Sequence, residues 1–565
     1  MESEGPINSN RPIRVVIIGA GASGLLMAYK LQRNFDDIEL QIYEKNPDVG
    51  GTWYENKYPG CACDNPSHTY VWSFDPNPNW TATYASSAEI LAYFKSFQFK
   101  HNLQSKTLLN HTLSSATWLS SYSQWQLEIQ DTLNSNTKQD TCDILINATG
   151  VLNDWKWPDI PGLHSFSGPL VHTAAWDEKL DIKNKHVGLI GNGSSGMQIL
   201  PAILPEVSKC TIFIREPTWV LPFGPDGTVP REFSNKEREA FAAGDGGDLH
   251  SYRRWLEHRM NRAFPIFIGD SPFQKGVRDI CEAHMRDVLQ DEYLESKIIP
   301  EWAVGCRRLT PGVGYLEALK DEKTKAVFGQ IAKITGNGCV TTDGVEHPVD
   351  VLVCATGFDT SFIPKFRLVG SHGHELADQW GNEPRSYLGV AAAGFPNYFM
   401  LIGPNSPVGN GPLLIAIEAQ ADYICRIITR IQQHEIKSIK VRTEAVDDFI
   451  AHKDQFMERT VWQDYCRSWY KRGAADGKIT ALWPGSTLHY IECLRDVRYE
   501  DYHVEYIGNR FSYLGNGMTR LELTEDADLA TYIRKRDDGP ILGSKFMCTK
   551  AKAELNSGSA LEKIG

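Results

Sequence analysis

The chain has 565 residues, 42% hydrophobic and 23% charged, with 15 Trp, 22 Tyr and 23 Phe. That is the composition of a globular protein of two or three domains, and it excludes a disordered chain, a collagen repeat and a coiled coil. With 58 Lys+Arg against 70 Asp+Glu the formal net charge is −12 and no run of five basic residues occurs, so no nucleic-acid partner is expected.

The segment from Met1 to Pro12 is polar and lacks the apolar centre of a secretory signal. No stretch of 18 apolar residues is seen, so no integral membrane segment is expected and the expected location is cytoplasmic. Twelve scattered cysteines suit reduced, buried thiols.

Arg14 to Ile18 is a short β-branched run, the pattern of a buried parallel strand. Gly19-Ala-Gly21-Ala-Ser23-Gly24 follows directly, then a helix-forming stretch from Leu25 to Arg33, then a strand from Ile38 to Tyr43 that ends at Glu44. A mixed region spans Tyr84 to Asp140, and Asp143 to Gly150 reads as a buried strand with an Ala-Thr-Gly end. Pro158 and Pro161-Gly162 mark a linker. The first grammar then repeats: a strand from His186 to Ile190, the turn Gly191-Asn-Gly193-Ser194-Ser195-Gly196, a helix from Met197 to Leu204, and a strand from Cys210 to Ile214 ending at Arg215. Pro230 to Gln290 is charged and helical in pattern, an insertion. Asp350 to Asp359 carries a second Ala-Thr-Gly strand end, and Phe546 to Gly565 reads as a loose tail.

In such a turn the first glycine permits the tight bend, the second lets backbone approach a pyrophosphate, and the third lets helix and strand pack closely. The free N–H groups of the helix start, here around Ser23 and around Ser194 and Ser195, then face the phosphates. Glu44 stands 20 residues after Gly24, where a carboxylate accepts from a ribose diol. Arg215 stands 19 residues after Gly196; a guanidinium there suits a 2′-phosphate, although the adjacent Glu216 opposes it. The first site therefore suits FAD or NAD and the second NADPH, with hydride passing from nicotinamide to flavin.

Two fates of the reduced flavin follow. Disulfide reduction needs paired redox cysteines, and the candidates, Cys61 and Cys63, have only one residue between them, the wrong spacing. Dioxygen chemistry is favoured by motif. Phe166-Ser-Gly168-Pro-Leu-Val-His172-Thr-Ala-Ala-Trp176-Asp177 matches the FxGxxxHxxxW[PD] fingerprint of Baeyer–Villiger monooxygenases, and Gly50 to Asp64 resembles that family's GGxWxxxx[YF]PGxxxD signature. The resemblance runs from about Arg14 to Asp501.

The resemblance implies a reaction in which reduced flavin takes up O₂ and the oxygen adduct attacks a ketone, giving an ester or lactone. A permanent cation must hold that adduct anionic. Gly305-Cys-Arg307-Arg308 resembles the family's G-x-[KR]-R segment, which implies a catalytic role for Arg308 and a cofactor role for Arg307, where Lys is usual. Asp64 fills the position of the carboxylate that orients the catalytic guanidinium. Gly51, Thr52, Trp53 and Tyr70 are expected at the flavin and Trp469 at the nicotinamide cofactor, while His172 and Trp176 are expected to be hinge and packing residues. Pro404 to Pro407 is expected to be a loop facing the flavin.

The expected architecture is α/β, with two Rossmann-like dinucleotide-binding domains and a helical insertion in the NADPH domain. Residues 1–151 and 386–545 would form the FAD domain, 152–221 and 323–385 the NADPH domain, 222–322 the insertion and 546–565 the tail. The expected partners are a bulky hydrophobic ketone of secondary metabolism (polyketide, terpenoid or steroid-like) and O₂; the oligomeric state is not read. A heteroatom-oxidising flavin monooxygenase, a flavin reductase or oxidase that consumes NADPH without an oxygenated product, and a non-catalytic binding protein remain the alternatives.

Overall fold

The computed structural model describes residues 5–222, 224, 227–243 and 247–533. The tail expected at 546–565 lies outside them. The described residues fall into two compact units. The smaller combines residues up to Arg11 with Gln432–Ile436 and the segment from Tyr506 onward. Within it the Ile7 N–H donates to the Met518 carbonyl (2.8 Å) and His434 stacks on Tyr513 with ring centroids 4.6 Å apart.

The larger unit, Pro12–Ile431 with Lys437–Glu505, carries the chemistry. Its first sheet has five parallel strands in the order Tyr398–Met400, Ile144–Asn147, Ile13–Ile18, Ile38–Tyr43 and Thr107–Leu108. The central strand is an apolar run because both its faces are covered; Val15, Val16 and Ile17 have no exposed surface. The edge strand Tyr398–Met400 is supplied by the C-terminal half of the chain.

The second sheet is also five-stranded and parallel: Thr324–Phe328, Lys209–Ile214, His186–Ile190, Val351–Cys354 and Leu170–His172. In both sheets the strand before the glycine turn is central; the next two strands of the chain in that sheet lie on one side of it, and the chain then crosses to the other side with Ile144–Asn147 in the first sheet and Val351–Cys354 in the second. That reversal of strand order opens a crevice at the carboxyl ends, where nucleotides bind in such folds. Two antiparallel sheets flank these: Ile331–Ile334, Gly338–Thr341 and Glu346–Pro348, and a meander of His111–Leu119, Gln124–Asp131 and Thr137–Cys142. Arg367–Val369 joins the meander beside Ser115–Thr117.

Between Lys209–Ile214 and Thr324–Phe328 the chain forms the helices Asn235–Ala242, Gly247–Arg262, Pro272–Leu289 and Glu292–Ile298. Ser234 and Ser271 cap two of them by accepting from the N–H groups of Glu237 and Gln274. Val277, Cys281, Met285 and Leu289 recur at helical spacing and are buried, which seats Pro272–Leu289 on the core of the second sheet.

The expectation of reduced thiols throughout needs one correction. Cys306 and Cys466, separated by 160 positions, form a disulfide. The fold apposes two loops that nothing in their local sequence links. Among the described residues the other nine cysteines are free, and eight of them are buried.

Candidate active site

The first glycine turn is built as its spacing requires. Gly19 has φ +100°, a left-handed conformation that disfavours any side chain, and its N–H donates to the Tyr43 carbonyl (2.7 Å). A Cβ on Gly24 would strike the Gly19 carbonyl oxygen. Gly21 faces Gly51 so closely that a Cβ on Gly51 would sit 3.0 Å from the Gly21 Cα. The helix Ala22–Asn34 starts with no side chain capping it, so its first N–H groups stay available to an anion.

These glycines border a cavity of about 640 Å³, and Gly19, Gly21, Ser23, Glu44, Gly51, Thr52, Trp53 and Tyr70 all line it. Gly24 stands behind the turn, as its packing part requires. Glu44 is buried; its Oε2 accepts from the Ala20 N–H (2.7 Å) and its Oε1 from the Asn46 N–H (2.9 Å). Burial raises its pKa despite those two N–H groups. Each oxygen keeps a second lone pair for a diol. Trp53 donates through Nε1 to the Tyr70 hydroxyl (3.2 Å), which fixes both rings on one wall. Pro404 lines the cavity too, and the adjoining Asn405 is fully buried with neither side-chain atom partnered among the described residues. A long cavity with a glycine cradle, a diol acceptor and an orphan amide at its border fits a dinucleotide.

The second turn repeats the geometry. Gly191 has φ +108°, its N–H donates to the Phe213 carbonyl (3.1 Å), and a Cβ on Gly196 would strike the Gly191 carbonyl oxygen. Gly193 precedes the helix Ser194–Ile203, again with no side-chain cap. Ser194 and Ser195 form its first turn, and Ser194 is hydrogen-bonded to Thr310 (2.7 Å). A cavity of about 680 Å³ is lined by Gly191, Gly193, Arg215, Glu216, Arg307 and Arg467, among others. Arg215 is exposed and has no ion-pair partner among the described residues. Glu216 is not an unopposed negative charge: it pairs with Arg307 and with Arg467. The sequence reading did not find Arg467, and no local signal singles it out, since the Cys-Arg doublet of 306–307 and 466–467 also occurs at 425–426.

Arg308 and Asp64 meet from 244 positions apart. Arg308 donates through Nε to Asp64 Oδ2 (2.8 Å) and through Nη2 to Oδ1 (2.9 Å), a bidentate fork that leaves Nη1 free of the carboxylate. Burial pulls the guanidinium's pKa down, but Asp64 more than offsets that and the net direction is up. Arg308 therefore stays charged at any working pH. It lines a third cavity, about 20 Å³, with Asn65, Met260, Phe267, Asn410 and Tyr470. Tyr470 is buried, which pushes its pKa up to about 12 against the pull of Arg308, so its hydroxyl keeps its proton. The insertion supplies Met260 and Phe267, neither of which motif reading had singled out.

Trp469 is half-buried edge-on to Tyr470 (4.8 Å) and lines none of these three cavities. His172 is buried, stacks on Trp155 at 4.6 Å and accepts from the Ala174 N–H (3.2 Å). Burial pushes its pKa down to about 4, so it is neutral above that range. Trp176 packs half-buried against the core of the second sheet. Cys61 and Cys63 are free and buried, and burial pushes the Cys61 thiol up to about 11, the opposite of a redox thiolate.

Residues 17–86 match the model of an NAD(P)-binding Rossmann-like domain. The chain is 40% identical over 551 residues to the FAD-binding monooxygenase tazF of Aspergillus terreus, covering 94% of this chain and 98% of that protein. It is 33% identical to a Baeyer-Villiger monooxygenase of Pseudomonas aeruginosa, covering 87% and 92%. Its fold superposes with a TM-score of 0.76 on the crystal structure of cyclohexanone monooxygenase from Rhodococcus sp. Phi1 bound to NADP+, at 28% identity and covering 88% of this chain and 100% of that one.

Proposed function

The chain belongs to the flavin-dependent Baeyer–Villiger monooxygenases, and from that premise we propose that it inserts one atom of O₂ beside the carbonyl of a bulky, hydrophobic ketone of secondary metabolism, with Arg308 as the catalytic cation. It is an FAD- and NADPH-dependent oxidoreductase. FAD supplies two-electron storage and the capture of O₂, which no side chain can do. The chain's own residues bind, orient and stabilise.

The cavity beside Gly19, Gly21 and Glu44 is the reading for FAD, with the pyrophosphate at the start of Ala22–Asn34 and the ribose at Glu44. The cavity beside Gly191 and Arg215 is the reading for NADPH. Arg308 holds a fixed positive charge where negative charge develops on oxygen. Asp64 fixes its plane, and Tyr470 stands beside it as a neutral donor. The walls from the insertion, Met260, Ala263, Ile266 and Phe267, are apolar, which favours a hydrophobic ketone. A cavity of about 20 Å³ holds little more than one water. A bulky ketone therefore needs more room than this cavity has as it stands.

The observation that carries the reading is the forked Arg308–Asp64 pair, whose arginine lines that largely apolar cavity. The test is incubation of the enzyme, NADPH and a panel of cyclic, steroidal and polyketide-like ketones under ¹⁸O₂, with mass spectrometry. The expected result is an ester or lactone carrying one labelled oxygen. Labelled sulfoxides or N-oxides with no ester from any ketone would move the enzyme to the heteroatom oxidisers.

The glycine cradle gives a second expectation. Gly24→Ala puts a methyl group onto the Gly19 carbonyl oxygen and forces the turn open. Purified protein should then carry about a tenth or less of the wild-type flavin, since the turn's close packing is what the third glycine provides. Visible absorbance relative to protein absorbance measures it.

A further inference from the structure

Two Cys-Arg dipeptides, Cys306-Arg307 and Cys466-Arg467, are joined through their cysteines by a disulfide that holds the two Cα atoms 6.5 Å apart. The arginine after each bridged cysteine reaches the same carboxylate. Arg467 Nε lies 2.9 Å from Glu216 Oε1, and Arg307 Nη2 bonds Glu216 Oε2. Arg215, the residue before Glu216, adds a third guanidinium. The other charged side chains of this lining are Lys156 and Asp159, which cancel. Three guanidiniums against one carboxylate leave a local charge of +2, which complements a phosphate monoester of about −1.5 to −2.

We infer that Arg467 is a further recognition residue for the 2′-phosphate of NADPH, and that the Cys306–Cys466 bridge is the positioning link that presents it. The inference rests on the reading of this cavity as the NADPH site. A guanidinium has five N–H donors. Arg467 uses one on Glu216 and one on the Gly473 carbonyl (3.5 Å), which leaves donors for a phosphate. Its side chain is 47% exposed, and an exposed arginine loses much of its binding gain to rotamer ordering and screening. The bridge and Glu216 remove part of that loss in advance, because they fix the loop and aim the guanidinium before any ligand arrives. Lys471 anchors the same loop from inside: its buried ammonium donates to the carbonyls of Asp464 (2.6 Å) and Ala475 (2.7 Å). Glu216 keeps the cations from repelling one another and rejects nothing, because both its oxygens are engaged. NAD offers this cluster no anion, so the discrimination lies in the phosphate alone.

The test is calorimetric titration of the flavin-loaded enzyme with adenosine 2′,5′-bisphosphate and with AMP, beside the kcat/KM ratio for NADPH over NADH. In Arg467→Ala the bisphosphate should bind about tenfold more weakly while AMP affinity moves less than about twofold, and the NADPH/NADH ratio should fall by a similar factor. Arg467→Lys should keep part of the preference. Cys306→Ser/Cys466→Ser should weaken bisphosphate binding about threefold, and adding Arg467→Ala to that pair should cost less than it does in wild type, because the bridge acts through the arginine. Equal weakening of both nucleotides in Arg467→Ala, or none, overturns the inference and leaves the NADPH reading standing. Additive losses overturn the role of the bridge. A wild-type enzyme with no preference for the bisphosphate overturns the NADPH reading of the cavity and this inference with it.

Discussion

Replacing Arg308 by alanine should abolish ester formation while NADPH still bleaches the flavin. The two half-reactions use different parts of the molecule. In the proposed reading hydride would come from a nucleotide at the second glycine turn, and Arg308 is not part of that turn. Oxygen insertion as proposed needs a lasting negative charge on oxygen, and Arg308 is the cation proposed to hold it, at the third cavity that it lines. Removing one preorganised stabilising donor costs roughly 10²–10³-fold in rate, and here a full charge goes with it, so the upper figure is expected. NADPH should still be consumed, with hydrogen peroxide in place of ester. The measurement is the ratio of ester formed to NADPH oxidised. Arg308→Lys separates charge from geometry: it keeps the cation but cannot make the two parallel bonds to Asp64, so it should recover no more than about a tenth of wild-type product. Ester formation at the wild-type rate in Arg308→Ala would remove Arg308 from the reaction.

Much of this site was legible before any coordinates, and the reason is local. The two strand–turn–helix units are contiguous in sequence, each short enough that a β-branched run, three glycines and a terminal charged residue declare their parts. Gly19, Gly21, Ser23 and Glu44 line one cavity together, as an uninterrupted local motif predicts, while Trp53 on the same wall was reached only through the resemblance. The pairing of Arg308 with Asp64, 244 positions apart, came from resemblance to a family and not from periodicity. What resemblance does not cover stayed hidden. The convergence of Arg307 and Arg467 on Glu216 is a tertiary event between loops 160 positions apart, and the disulfide beneath it follows from the same apposition. Glu216 looked like an obstacle to phosphate binding because sequence shows a charge without its partners. The cavity walls from Met260 and Phe267 were equally silent: in a charged helical insertion, apolar residues announce a buried face without saying what they face.

Asp64→Ala sets two physical effects against each other. The carboxylate partly cancels the field of Arg308, so deleting it strengthens the positive potential in the cavity. A purely electrostatic account therefore predicts a rate equal to or above wild type. The carboxylate also accepts both bonds that fix the guanidinium plane, and breaking one side of this half-buried ion pair leaves the other free to swing toward water or the nearby Tyr470. The gain in field is spread over a site screened in part by solvent, since the Arg308 side chain keeps 31% of its surface accessible. The loss of position is not screened: a displacement near 1 Å can cost on the order of 10²-fold. Geometry should win. Ester formation in Asp64→Ala should fall by about 10²-fold, with NADPH oxidation uncoupled from product. Asp64→Asn keeps one acceptor for Arg308 while discarding the charge, so under the positional account it should lie between Asp64→Ala and wild type, about tenfold down. Under the electrostatic account Asp64→Asn and Asp64→Ala would both match or exceed wild type, and steady-state ester yields from the two variants separate these accounts in one experiment.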